Sequence, residues 1–515
     1  MSESSNVKKS AKTKSYEIYR RLRNLMSNQD NDSSGKKGTP TLIVTGLPGS
    51  GKTTSLLYLA LYRTNRCIVS FSRRKQRDWW FENIPKVFNL KIRTHLSDDI
   101  YEVETKDGKI IAIYRFKAKY EFDDCPLSRK EFDSFLDYMI ACLQSQQTIQ
   151  CRERCPYKRQ FSIVANLLRG KRRFVILATH VGGMILDMVF QGVMHIVIDE
   201  FDEYVFSLSH LAIPEKKLDE YYLYGDEITK KIIDDIRSNW IYNKTNKVYY
   251  PPLIPIHARC AILSTATFVK YFVSFYRGVN AIDIYHVEPR YGDPDIILVW
   301  NKTHTLVDWW SDKSKLYTIV KDLATIARRK GKNVGIVVPK KRIAETLARK
   351  LEDVGSVYCE EYPDTSKQWI TIVVPGDTLY RGLSIEADIV VAFYQRWRFD
   401  RTLETAHPWI HHAWRPPSEA STDPSLRGIV DRFGYINPEI VEASIEELNE
   451  AYNVQAIFRF VRNHKKRHIV VILDRQMFDA LKRFYKNSYL KHCIVKTFDN
   501  YLDLLVYYAS LLEAI

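Results

Sequence analysis

The sequence predicts an α/β fold of two parallel-sheet lobes, with a cysteine-rich insertion and a second, short insertion in the first lobe. Three observations predict it: two series of short branched-apolar runs separated by amphipathic stretches, a glycine-rich signature directly after the first run, and a pair of acids ending a later one. Runs this short and this rich in Val and Ile suit strands buried on both faces of a parallel sheet. At 515 residues the chain has room for two or three domains, each able to bury its own core.

Residues 1–40 are rich in Lys, Ser and Asn and end in Asp32-Ser33-Ser34-Gly35-Lys36-Lys37-Gly38. That composition buries little apolar surface and predicts a basic arm, partly helical and partly disordered. The first lobe is expected over 41–268, with strands at Leu42-Ile43-Val44, Cys67-Ile68-Val69, Phe174-Val175-Ile176-Leu177, Ile196-Val197-Ile198 and Ala261-Ile262-Leu263. Stretches at about 115–165 and 203–257 break the alternation and read as insertions. The second lobe, 269–515, carries Val334 to Val338, Ile370 to Val374, Ile389 to Val391 and Ile469 to Leu473, with helical patterns such as Ile343 to Leu351 between them.

Gly46-Leu47-Pro48-Gly49-Ser50-Gly51-Lys52-Thr53 fits G-x-x-x-x-G-K-S/T, preceded by a strand and followed by a helical run from Thr54. Glycines let successive backbone N–H groups face phosphates, and the helix N-terminus adds its dipole. Lys52 is placed to reach the β- and γ-phosphates of ATP, and the Thr53 hydroxyl to ligate Mg2+. A chance glycine turn lacks this strand-to-helix setting. Hydrolysis also needs one carboxylate for the metal and one for the attacking water. Asp199 and Glu200, at the end of the run Ile196 to Ile198, supply both, with Asp199 on the metal and Glu200 on the water; Glu203 reads as a solvated bystander.

Gln455, Arg459 and Arg462 share one helical face through i+4 and i+3 spacing, so they can enter a cleft together. Two guanidinium groups there can stabilise charge on a transferring phosphate. An amphipathic helix with a solvated basic face running into His464-Lys465-Lys466-Arg467 is the other reading.

The net charge of +16 and pI of about 9.2 point to a polyanionic partner, nucleic acid or a membrane surface. No apolar run reaches the length of a membrane span and Met1 to Lys14 is polar, so a cytosolic protein is expected. Of the eight cysteines, Cys67, Cys260, Cys359 and Cys493 are scattered and read as free thiols. Cys125, Cys142, Cys151 and Cys155 fall in one stretch, with sixteen, eight and three residues between them. Four thiolates at this spacing suit a 4Fe–4S cluster or Zn2+, or remain unliganded in a degenerate insertion. Arg152, Arg154, Lys158, Arg159, Arg169, Lys171, Arg172 and Arg173 crowd around them, either as a phosphate-tracking surface or as a solvated face. Trp79, Trp80, Trp309 and Trp310 are candidates for stacking bases, with core packing as the alternative.

In their order, these segments resemble the iron–sulfur group of superfamily 2 helicases that includes XPD and DinG. Lys52 and Thr53 match its first motif, Asp199 and Glu200 its second, Ser264-Thr265-Ala266-Thr267 its third, Thr378-Leu379-Tyr380-Arg381-Gly382 its fifth, and Gln455, Arg459 and Arg462 its sixth. The resemblance spans about 41–480. Its most specific part is the order Cys155-Pro156-Tyr157, then Phe174 to His180, then Ile196 to Glu200. It implies two RecA-like lobes, a 4Fe–4S cluster in the cysteine-rich insertion, and an Arch domain reduced to about 203–257. Asp202 stands where many relatives carry His, and Phe458 replaces the glycine usual before the first arginine of the sixth motif. A ring at 458 is expected to tilt the helix and leave one arginine in reach.

The function so implied is an ATP- and Mg2+-dependent DNA helicase moving 5′ to 3′ on single-stranded DNA, with single-stranded and forked DNA as partners and no protein partner assigned. Two other readings stay open: a translocase or packaging ATPase without unwinding, and a nucleic-acid-binding module with a relic nucleotide site. A compact chain of this kind suits a virus or mobile element as well as a cell, the host cytoplasm then being its compartment.

Overall fold

The computed structural model describes residues 2–30, 39–47, 49–118, 121–122, 156–170, 172–201, 213–225, 227–243, 247–250, 257–266, 282–288, 295–300, 313–338, 340–358, 369–374, 386–394, 438–461, 466–485 and 489–514. In chain order the elements are α1 (Ser2–Asp30), β1 (Thr41–Thr45), α2 (Lys52–Tyr62), β2 (Arg66–Phe71), α3 (Arg74–Phe88), β3 (Lys91–Ser97), β4 (Ile100–Glu104), β5 (Ile110–Arg115), α4 (Pro156–Arg169), β6 (Arg173–Thr179), α5 (His180–Val189), β7 (His195–Ile198), β8 (Ile213–Pro214), α6 (Glu215–Tyr224), α7 (Glu227–Asn239), β9 (Ile241–Asn243), β10 (Val248–Tyr250), β11 (Cys260–Thr265) and β12 (Ile282–His286). Then follow β13 (Ile296–Trp300), α8 (Lys313–Arg329), β14 (Val334–Val337), α9 (Lys341–Leu351), β15 (Val357–Tyr358), β16 (Ile370–Val373), β17 (Ile389–Ala392), α10 (Pro438–Phe460), β18 (Ile469–Ile472), α11 (Arg475–Tyr485), β19 (Ile494–Phe498) and α12 (Tyr501–Ala514).

The first lobe is built on a nine-stranded sheet in the order β12-β1-β11-β7-β2-β6-β5-β4-β3. It is parallel from β12 to β5 and antiparallel over β5, β4 and β3. Strand alternation splits the apolar residues between two cores. Leu42 and Val44 of β1 pack with Leu56 of α2 and Phe81 of α3, whereas Ile43 joins Val164 of α4, Leu186 of α5 and Ile236 of α7 on the other face. Both faces are therefore covered, which is what an uninterrupted branched-apolar strand requires.

The second lobe repeats the plan with seven parallel strands in the order β15-β16-β14-β17-β18-β13-β19. Ile296 and Leu298 of β13 face α8, α9 and α12, and Ile297 and Val299 face α10 and α11. This is the two-lobe parallel-sheet α/β architecture expected. The crossover between lobes falls after β12, later than the expected 268/269 boundary. β12 pairs with β1 in the first sheet and so covers what would otherwise be an open edge.

The N-terminal stretch expected as a partly helical, partly disordered arm is a helix over Ser2–Asp30. Ile18, Leu22 and Leu25, spaced i, i+4, i+7, enter the core shared with α2, and Arg21 pairs with Asp283 of β12 at 2.8 Å. Residues 31–38 of that arm lie outside the described residues. Of the insertions, the described part of 203–257 is a small antiparallel sheet, β8-β10-β9, with α6 and α7. Most of 115–165 lies outside the described residues. Among the described residues, no helix is long and apolar enough to cross a membrane.

Candidate nucleotide site between the lobes

The phosphate loop joins β1 to α2. At Gly46 a Cβ would sit 2.6 Å from the Val287 carbonyl oxygen, so the loop closes only around a glycine. Gly51, the residue before α2, has φ of +81°, the left-handed region where a side chain costs energy even in open space. Lys52 is buried, and its ammonium donates to the carbonyl oxygens of Gly46 at 2.6 Å and Leu47 at 3.0 Å. It therefore lies inside the turn, where phosphate oxygens can take the place of those carbonyls. Ser50 donates its N–H to Leu47 at 3.1 Å, and Thr54 follows in the first turn of α2 with Thr53. Gly49 takes φ of +82°, and Pro48 lies outside the described residues.

Asp199 and Glu200 follow β7, two strands from β1 in the sheet. The Thr53 hydroxyl donates to Asp199 Oδ2 at 2.8 Å, which brings the loop and the acid together. Asp199 is only 3% exposed, and burial, then the neighbouring Glu200 charge, push its carboxyl up to about 6, against the pull of Thr53, Lys52 and Ser264. A hydroxyl and a desolvated carboxylate side by side fit a divalent cation, which would favour the ionised form and offset the burial. His180, the first residue of α5, sits 2.8 Å from the Asp199 carbonyl oxygen through Nε2; burial lowers its pKa to about 4 and keeps it neutral. Glu200 adopts φ of +54°, an uncommon conformation for a residue with a side chain.

The second lobe reaches this site through the last turn of α10. Arg459, almost wholly buried, places Nη2 3.5 Å from Glu200 Oε1, and Gln455 lies buried one turn earlier. The helix runs unbroken through Phe458 to Phe460, and the Phe458 ring packs into the second-lobe core, edge-on to Tyr489 at 4.7 Å. Leu47 of the phosphate loop joins that same core with Val454 and Ile457. Arg462 lies outside the described residues. So do Thr378 to Gly382, Asp202, Glu203, Thr267, Cys359, Trp309 and Trp310.

Cys125, Cys142, Cys151 and Cys155 also fall outside the described residues, among which no cluster of three or more His, Cys, Asp and Glu is placed to hold a metal ion. Cys67 and Cys260 are buried thiols, Cys67 pushed up to about 12 by desolvation. Two of the crowded basic residues are tied into the fold: Arg172 pairs with Glu102 at 2.8 Å, and Arg173 donates to the Thr64 carbonyl at 2.9 Å. Trp80 is core, whereas Trp79 is 52% exposed.

Sequence reasoning missed four neighbours of the site. Lys14 of α1 donates to the Ser50 carbonyl of the phosphate loop at 2.7 Å. Ser72 and Gln76 face the paired acids, and His180 braces their backbone. Ser72 and His180 each lie just past a strand that neighbours β7 or the next strand out, so the rule that ligands gather at strand ends could have found them.

No protein-family model and no curated protein matches this chain. Solved structures do. An XPD helicase matches at 12% identity over 94% of this chain and 99% of that one, with a TM-score of 0.51. An apo XPD matches at 14% identity over 94% and 100%, with a TM-score of 0.48. Xpd4 of S. tokodaii matches at 11% identity over 93% and 99%, with a TM-score of 0.47. At such identities the likeness is one of fold, and the chain has the fold of the XPD helicase, with its two parallel sheets matching the two RecA-like lobes.

Proposed function

We propose that this chain is an ATP-hydrolysing DNA helicase whose two lobes share one nucleotide site. The observation that carries the proposal is Arg459 of the second lobe within 3.5 Å of Glu200 of the first, beside an intact phosphate loop. A relic binding module would have no reason to keep a guanidinium, two acids and a loop lysine in mutual reach.

In this reading Lys52 exchanges the carbonyls of Gly46 and Leu47 for the phosphates of ATP. Thr53 and Asp199 would hold Mg2+, which when bound would supply charge neutralisation at the phosphates. Glu200 orients the attacking water, and Arg459, with Gln455 one turn earlier and Arg462 by its spacing in the sequence, offsets charge that grows on the transferring group. Nucleic acid is assigned to the strand ends. Exposed basic residues open a helix in each lobe, Arg74 and Lys75 after β2, and Lys340, Lys341 and Arg342 after β14. Helix N-termini with added cations favour phosphates. Movement from 5′ to 3′ is taken from the XPD resemblance. From the sequence alone we further assign a 4Fe–4S cluster to Cys125, Cys142, Cys151 and Cys155, with Zn2+ as the alternative.

The test is ATP hydrolysis with and without single-stranded DNA, and displacement of a strand from forked duplexes of either polarity. Stimulated hydrolysis and 5′-to-3′ displacement are expected, both lost in Lys52→Ala. Stimulation without displacement would make the chain a translocase, and wild-type behaviour identical to Lys52→Ala would leave a relic site. Metal analysis of the same preparation is expected to find iron; zinc, or neither metal, would overturn the cluster.

A further inference from the structure

The junction between β2 and α3 brings two polar side chains to the paired acids. Ser72 lies one residue past β2, which pairs directly with β7, so it emerges beside Glu200. Its Oγ donates to Glu200 Oε2 at 2.6 Å. Gln76, one helical turn on, donates from Nε2 to Asp199 Oδ2 at 3.4 Å, and its Oε1 lies 3.5 Å from Ser72 Oγ. A hydroxyl has one proton to give, and the shorter contact, to Glu200, takes it. Ser72 and Gln76 thus each serve one acid, and their side chains touch each other.

The acids need such support. Glu200 has φ of +54°, a strained backbone conformation for a residue with a side chain, which persists only where the surroundings impose it. Its two oxygens are divided, Oε2 to Ser72 and Oε1 toward Arg459. The turn that presents Ser72 and Gln76 is itself locked. Arg77, fully buried, donates to the Phe116 carbonyl at 2.9 Å and to both oxygens of Glu121, at 2.9 and 2.5 Å. α3 therefore cannot roll without breaking a buried ion pair, which is strongly destabilising when one partner is left alone.

We propose that Ser72 and Gln76 are positioning residues for hydrolysis: Ser72 fixes the rotamer of Glu200 toward the attacking water, and Gln76 orients the Asp199 oxygen that also meets Thr53. This rests on the ATPase reading above. Neither side chain contacts the phosphate loop in the hydrogen bonds described, so their effect belongs on turnover and not on nucleotide affinity.

The experiment measures steady-state hydrolysis and, separately, binding of a fluorescent ATP analogue, for wild type, Ser72→Ala, Ser72→Thr and Gln76→Ala. Ser72→Ala is expected to lower kcat by about 10- to 100-fold while KM and the analogue's Kd stay within about twofold. Ser72→Thr keeps the hydroxyl and is expected to recover most of the loss. Gln76→Ala, whose contact is longer, is expected to cost about three- to tenfold in kcat. Wild-type kcat in Ser72→Ala, equal defects in Ser72→Ala and Ser72→Thr, or a loss of analogue binding as large as the loss of turnover would each overturn the proposal. Should Ser72→Ala melt early, Gln76→Ala carries the test, and unchanged kcat there overturns it. A wild type that binds the analogue but releases no phosphate overturns the ATPase reading instead.

Discussion

Phe458 and Arg459 stand side by side in the chain and serve different ends. Successive residues on an α-helix are about 100° apart, so a helix lying against a core can bury one side chain inward and aim the next across an interface. Phe458 meets Tyr489 and the second-lobe core, while Arg459 crosses to Glu200. The ring in place of glycine thus anchors the helix that carries the arginine. On the proposed reading, an arginine so placed would act on charge that develops in the transition state more than on bound ATP. Arg459→Ala is therefore expected to lower single-strand-stimulated kcat by on the order of 10³-fold, with ATP affinity changed far less. Parallel measurement of turnover and nucleotide binding checks this, and near-normal turnover would refute the cross-lobe assignment.

Among the elements, the parallel strands were legible because burial on both faces leaves only branched-apolar residues: Leu42-Ile43-Val44 and Ile469 to Leu473 have no other plausible use. The phosphate loop was legible because backbone geometry there admits so few residues. β3 was not, since it is an exposed edge strand whose Lys91-Ile92-Arg93-Thr94-His95-Leu96 carries no burial signal. The docking of α1 was also hidden. Its Lys- and Ser-rich composition reads as an arm, yet three apolar residues at i, i+4 and i+7 suffice to seat it on α2 and bring Lys14 to Ser50. Ser72 and Gln76 escaped notice for a different reason. Their role comes from the sheet order, which sets β2 beside β7 although residues 72–194 separate them in the chain.

At the scale of the whole molecule, the loop after β1 is one place, among the described residues, where the two lobes meet. Leu47 is a first-lobe residue on the phosphate loop, yet its side chain is buried among Val454, Ile457 and Phe458 of α10. The loop that would grip ATP thereby also packs against the helix that carries Arg459, and on the proposed reading closure of the cleft and assembly of the catalytic groups would be one event. Truncating a buried leucine costs about 2–5 kcal/mol when the surroundings cannot collapse. Here the lobes can separate instead, so much of that cost is expected to appear as opening of the cleft. Leu47→Ala keeps the backbone carbonyl that Lys52 uses, and nucleotide affinity should hold within about threefold while stimulated kcat falls at least about tenfold. The mechanism makes a stricter demand. If Leu47 acts by keeping Arg459 near Glu200, the two losses share one cause and must not add. The double variant Leu47→Ala/Arg459→Ala is therefore expected to turn over within about threefold of Arg459→Ala alone. Multiplying losses in this cycle would show that Leu47 and Arg459 act independently, and would separate the packing of the lobes from the chemistry they enclose.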